Sequence, residues 1–139
     1  MRIYVAAKFE DKATVRDAFQ KLRAAGHEIT HDWTVEDESK AAPGKLDEYR
    51  AHCAEKDIEG VMEADALVLF PHAQGKGLYV ELGAALAAAI PVVCVSKGVD
   101  LPNCVFLWLE DVHHVETIEQ AVSAIGRGVR PTWARRNAS

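Results

Sequence analysis

Residues 66–96 read ALVLFPHAQGKGLYVELGAALAAAIPVVCVS. Ala66 to Phe70 is continuously apolar, as in a strand covered on both faces. His72 to Gly77 is a glycine-containing turn, Leu78 to Ile90 an alanine-rich helix, and Pro91 to Ser96 a second apolar strand. Strand, helix and strand in that order predict a parallel unit buried by helices on both faces.

The chain on either side repeats this alternation. Ile3 to Ala7 reads as a buried strand. Asp11 offers an N-cap, and Val15, Ala18, Phe19 and Leu22 follow at helical spacing, so residues 12–25 form an amphipathic helix that Gly26 ends. Residues 28–33 alternate as a half-buried strand, and residues 34–44, with Pro43-Gly44, form a loop. Residues 45–63 are a helix with Leu46, Tyr49, Cys53, Ile58, Val61 and Met62 toward the core. Residues 104–109 are assigned to a fifth strand. Thr117 and Gln120 form a capping box before Ile118, Ala121, Val122 and Ile125, and Gly126 closes that helix. The expected architecture is α/β: a flavodoxin-like three-layer sandwich with a five-stranded parallel sheet in the order 2-1-3-4-5. It occupies residues 1–126, and residues 127–139 are a tail with Arg127, Arg130, Arg135 and Arg136.

The 139 residues suffice for one ordinary domain, and the net charge of −5 opposes a nucleic-acid polymer as partner. Cys53, Cys94 and Cys104 have no metal-ligand spacing and are read as reduced, in a cytoplasmic protein. The apolar run from Leu82 to Val95 is too short to span a bilayer and is broken by Gly83 and Pro91, and residues 1–6 are too few for a signal segment. No membrane partner and no metal are expected.

In such sheets ligands bind beyond the carboxyl ends of the strands, where the strand order switches. That crevice would be lined by Ala6 to Phe9, His31 to Thr34 and the turn His72 to Gly77. Gly75 and Gly77 would let backbone amides approach a ligand at a helix start. Glu81 falls in or near the first turn, where the helix dipole favours a carboxylate, and an ionised carboxylate suits a glycosyl-transferring nucleophile. Dipole preference alone could equally place a glutamate there. Asp57 lies four residues from both Cys53 and Val61, on an apolar stripe, so it is either functional or a border residue paired with Lys56 or Arg50. Tyr4 reads as a core aromatic or as a hydroxyl at the site. Trp33 could stack on a base, and His113-His114 reads as a surface pair.

Three stretches carry a resemblance: Ile3-Tyr4-Val5-Ala6-Ala7, Asp57-Ile58-Glu59-Gly60-Val61 before Ala64-Asp65, and Gly77-Leu78-Tyr79-Val80-Glu81-Leu82-Gly83. In order and spacing, over residues 1 to about 110, the chain resembles the nucleoside 2-deoxyribosyltransferase superfamily, which includes the 2′-deoxynucleoside 5′-phosphate N-hydrolases. The resemblance implies cleavage or exchange of the N-glycosidic bond of a small-molecule nucleoside or nucleotide, with no cofactor. It implies that Glu81 attacks C1′, that Asp57 helps hold the sugar and the catalytic network, and that Tyr4 positions the nucleophile. Substrate would be met by Ala6, Lys8, Phe9, Asp32, Trp33, Gly75 and Gly77, and by Asn103 donated from a neighbouring subunit of a homodimer or larger assembly. Two departures stand out. The transferases carry an aspartate six residues before the nucleophile, where this chain has Gly75. The nucleotide hydrolases carry a serine and an arginine after the first strand, where this chain has Lys8 and Glu10. Other readings are a ribonucleotide phosphoribohydrolase, whose glycine-rich motif partly resembles Gly75 to Glu81 but has a threonine in place of Leu78, and a non-catalytic nucleotide-binding or TIR-like signalling module.

Overall fold

The structure is a computed structural model and describes residues 1–96, 101 and 103–129. Five parallel strands form one sheet: β1 (Arg2–Ala6), β2 (Glu28–Ile29), β3 (Ala66–Leu69), β4 (Val92–Val95) and β5 (Val112–Val115), in the order β2-β1-β3-β4-β5. The expected fold class is therefore observed. Helices α1 (Lys12–Ala24) and α4 (Ile118–Gly126) pack together over one face, and α2 (Leu46–Met62) and α3 (Gly77–Ala87) over the other. The central strands have no exposed face. Tyr4, Val5, Leu67, Val68, Leu69, Val92, Val93 and Cys94 are fully buried, which is why their sequences are apolar without alternation. In register, Ile3 lies opposite Ala66 and Ala6 opposite Leu69, so β1 and β3 end level with each other.

Several local signals hold. Gly26 takes φ +90° after α1, and the His27 amide reaches back to the Leu22 carbonyl at 3.1 Å, closing the helix as a Schellman turn. Thr117 and Gln120 form the capping box of α4.

Other expectations are corrected. Residues 104–109 are not a strand: Val105–Trp108 is a 3₁₀ turn, and the fifth strand is β5, containing His113 and His114. A short apolar run does not by itself separate strand from turn, and β5, half-exposed at the sheet edge, is the less apolar of the two segments. The strand at 28–33 stops at Ile29, because Asp32 caps a 3₁₀ turn at Trp33–Val35 through the Thr34 amide (2.9 Å). Asp11 occupies the N-cap of α1 without a side-chain cap bond. Helix α3 ends at Ala87, short of Ile90: Ala89 adopts φ 59° and the Ile90 amide bonds the Ala85 carbonyl at 2.8 Å, the same closure as α1 but without a glycine. Gly126 is still helical, and the left-handed residue after α4 is Gly128 at φ +82°. On α2 only Gly60 and Val61 are buried, while Leu46, Ile58 and Met62 are exposed. Arg127 caps α4, whereas Arg130, Arg135 and Arg136 lie outside the described residues. Among the described residues no helix is long and apolar enough to cross a membrane.

Candidate active site

The loops after β1, β2 and β3 converge on one cavity of about 280 Å³ at the β1–β3 switch point. It is lined by Ala7, Lys8, Phe9, Glu10, Trp33, Glu36, Asp57, Gln74, Gly75, Lys76, Gly77, Leu78 and Glu81. Backbone and side-chain bonds brace each loop. The Trp33 indole donates to the Val5 carbonyl (2.7 Å), which turns its ring toward the cavity beside Phe9, 6.1 Å between centroids. Arg16 ties Thr34 through both its hydroxyl and its carbonyl, each at 3.2 Å. The Tyr79 hydroxyl donates to the His72 carbonyl at 3.0 Å and fixes the loop before α3.

Glu81 projects from the second turn of α3, on the helix face that packs against β1. It is 8% exposed, is in no ion pair with the described residues, and accepts a hydrogen bond from the Tyr4 hydroxyl. Its place one turn into α3 removes it from the dipole's strongest reach. Burial dominates instead and pushes its pKa up to about 8, opposed by the bond from Tyr4. The expectation of a carboxylate ionised by the helix dipole is thus corrected: burial favours the acid form near neutrality. Burial and the carboxylates of Glu81 and Asp57 raise the Tyr4 hydroxyl well above the ordinary range, so it remains a donor. Tyr4 is both of the things its sequence allowed, a fully buried core aromatic and a hydroxyl at the site.

Opposite Glu81, α2 presents Asp57. Burial pushes its carboxyl up to about 7, helped by a hydrogen bond to Glu36 and by the Glu36 charge. Glu36 is itself raised by burial. His31 Nε2 lies 3.2 Å from both Glu36 Oε2 and Asp57 Oδ1. Only the contact with Glu36 has hydrogen-bond geometry; Asp57 Oδ1 is buried and accepts no hydrogen bond from the described residues. These three are the one group among the described residues whose donor atoms converge closely enough, within 4.8 Å, to suggest a cation. The hydrogen bond between His31 and Glu36, with the upward shifts of both carboxyls, favours a proton there instead. Beyond Glu36 and Asp57 a second hollow of about 630 Å³ opens, lined also by Phe9, Lys12, Tyr49, Arg50 and Cys53.

Of the residues predicted from sequence, Glu81, Asp57, Lys8, Phe9, Trp33, Gly75 and Gly77 line the cavity, and Tyr4 lies beneath it. Ala6 is fully buried in β1 and Asp32 turns to Thr34, so neither lines it. Asn103 is exposed and is not among the lining residues. The Gly75 amide bonds the His72 carbonyl at 3.1 Å, so it closes the turn instead of facing a ligand. Sequence reading missed Glu36, which lay in an interval read as plain loop; its signal was a carboxylate close after the end of β2.

No protein-family model and no curated protein matches the chain. Solved structures do. A 2-deoxyribosyltransferase from the psychrotolerant bacterium Bacillus psychrosaccharolyticus superposes with a TM-score of 0.75 at 22% identity, over 94% of this chain and 98% of that one. The CMP N-glycosidase BcmB of Clostridium botulinum superposes with a TM-score of 0.62 at 17% identity, over 91% and 99%. BlsM superposes with a TM-score of 0.62 at 18% identity, over 99% and 94%. The chain shares their fold. The resemblance read from the three sequence stretches is borne out at the level of architecture.

Proposed function

We propose that this protein cleaves or exchanges the N-glycosidic bond of a (2′-deoxy)nucleoside or its 5′-monophosphate, through a covalent glycosyl–Glu81 intermediate. The observation that carries the reading is a buried carboxylate held by a tyrosine hydroxyl in a sugar-sized cavity at the switch point. The fold shared with a 2-deoxyribosyltransferase and an N-glycosidase supports it.

A Glu81 oxygen bonds C1′ as the C1′–N bond breaks, and the electron pair leaves with the base, which takes a proton from Asp57. Water, or a second base, then attacks C1′ on the glycosyl ester, gives its proton to Asp57 and frees the Glu81 carboxylate. Tyr4, as donor, stabilises Glu81 while it is ionised. Lys8 and Lys76 supply positive charge for a 5′-phosphate. Gly75 leaves out the aspartate that the transferases use on the base, which favours water as acceptor.

A homodimer or larger assembly is part of the same proposal. Val80, Val105, Phe106 and Trp108 are large apolar side chains, each more than half exposed, and Asn103 sits beside the last three.

The test is incubation with a panel of deoxynucleosides and their monophosphates, with and without a second base, followed by chromatography of free base and exchanged nucleoside. Wild-type protein releases base, and Glu81→Ala and Glu81→Gln lose at least ~10³-fold in kcat. Saturable binding with no base released by any substrate would sink the catalytic reading and leave a binding module.

A further inference from the structure

We propose that Glu36, with His31 behind it, is the positioning residue that keeps the transferable proton on Asp57 for delivery to the departing base. The inference rests on the N-glycosidic reading and names a member of its machinery. Two hollows meet at Phe9, Glu36 and Asp57: the smaller contains Glu81, the larger lies on the other side of the carboxyl pair. A sugar against Glu81 therefore sends its base toward that pair. The alternative place for an acid is closed. A Cβ at Gly75 would lie 2.2 Å from Leu78 Cδ2 and 3.0 Å from Cγ, and Leu78 is itself 1% exposed.

The proton has a reason to sit on Asp57. Its Oδ1 is buried and accepts no hydrogen bond from the described residues, with only the off-geometry contact of His31 Nε2 at 3.2 Å beside it, while Glu36 takes the hydrogen bond of the His31 ring. Glu36 is thus the better-supported anion, and Asp57 the acid that donates to it. Once Asp57 has given its proton to the base, two carboxylates stand side by side, which drives recovery of a proton from the attacking water. Glu36 keeps its charge throughout.

The other groups facing the pair are Tyr4 from β1, Glu81 from α3, Asp32 beside His31, and Cys53 with Tyr49 from α2. The cations lining the larger hollow are committed elsewhere: Lys12 lies 4.0 Å over the Phe9 ring, and Arg50 pairs with Glu38 at 2.8 Å, while Lys8 and Lys76 line the smaller one. Turnover needs ionised Glu81 and protonated Asp57. With the two raised to about 8 and about 7, the kcat/KM profile is a bell with its maximum between these values.

Two substrates separate this role from a merely structural one: an ordinary nucleoside that the wild type cleaves, and a counterpart whose leaving group needs no proton, an N7-methyl purine or 4-nitrophenolate. Glu36→Gln is expected to lower kcat on the ordinary substrate by ~10-fold or more with KM within ~3-fold, and to lower the activated one by less than ~3-fold. Removing the Glu36 charge lowers both pKa values, that of Asp57 more than that of Glu81, so the bell moves to lower pH. Glu36→Asp restores part of the rate. Equal losses on the two substrates, or an unmoved profile, overturn the proposal while leaving the Glu81 reading intact. In the wild-type protein, ¹³C titration of the Asp57 carboxyl, assigned with Asp57→Asn, judges the pairing without turnover: an ordinary carboxylate midpoint refutes it. A wild type that releases no base from either substrate ends the N-glycosidic reading itself, and with it this inference.

Discussion

Helices α2 and α3 wall the same cavity on contrasting terms. Helix α3 buries Leu78, Glu81, Leu82, Ala85 and Leu86 against the sheet, so its carboxylate is fixed by the core and perturbed first by loss of water. Helix α2 buries only Gly60 and Val61, and its carboxyl is half-open, shifted first by burial and then by its polar neighbours Glu36 and His31. Under the proposed mechanism the division suits two kinds of work. A nucleophile has to be placed, which packing does well. An acid has to be tuned, which needs partners that can share a proton.

The contrast can be broken most directly at Asp57. Asp57→Asn keeps the shape of α2 and removes the proton, and steady-state kinetics should show a loss of ~10²–10³-fold on ordinary nucleosides with the melting temperature little changed. A rate within ~3-fold of wild type would place the acid elsewhere.

A smaller effect comes from the glycines of the two helices. A Cβ at Gly60 would lie 2.8 Å from His31 Cβ and 3.0 Å from the Tyr4 ring, whereas one at Gly83 meets nothing within 4 Å. Gly60→Ala should destabilise by about 1–3 kcal/mol through overpacking, displacing the hydroxyl that holds Glu81. Gly83→Ala should stabilise by roughly 0.5–1 kcal/mol in helix propensity. Denaturant unfolding of both variants checks the pair, and an equal response would mean that the two helices are packed alike.

The smallest effect is a stability change with pH. Glu81 is raised from 4.5 to about 8 by folding, so its contribution is present below about pH 4.5 and is lost as pH rises through 8. Glu81→Gln removes that loss. Thermal melts should show the variant gaining on wild type steadily as the pH rises from about 5 to about 8.5. A constant difference would mean that Glu81 is ionised throughout.

The fold was legible because its signals were redundant. Continuous apolar strands, the turn at Gly26 and the capping box at Thr117 each agree with the sheet order. On α2 the apolar residues do not keep one face. The step from Cys53 to Ile58 is five residues, which swings Ile58 and Met62 outward and leaves Asp57 in line with Cys53 and Val61. That interruption is what singles Asp57 out, because a charge on an apolar stripe is costly without a role or a partner. Glu36 could not be read in the same way. Its environment depends on the 3₁₀ turn at Trp33–Val35 and on His31, contacts that loop sequence does not encode periodically. The fifth strand was misplaced because β5 lies at the sheet edge, where half-exposed residues replace an apolar run.

The crowding between Gly75 and Leu78 also bears on how such a protein could change its chemistry. An acidic side chain at position 75 requires the buried Leu78 side chain to move aside. Substitutions at these two sites are therefore not independent: a carboxylate introduced at position 75 is best preceded by a smaller residue at 78, and the reverse order meets a clash on the way.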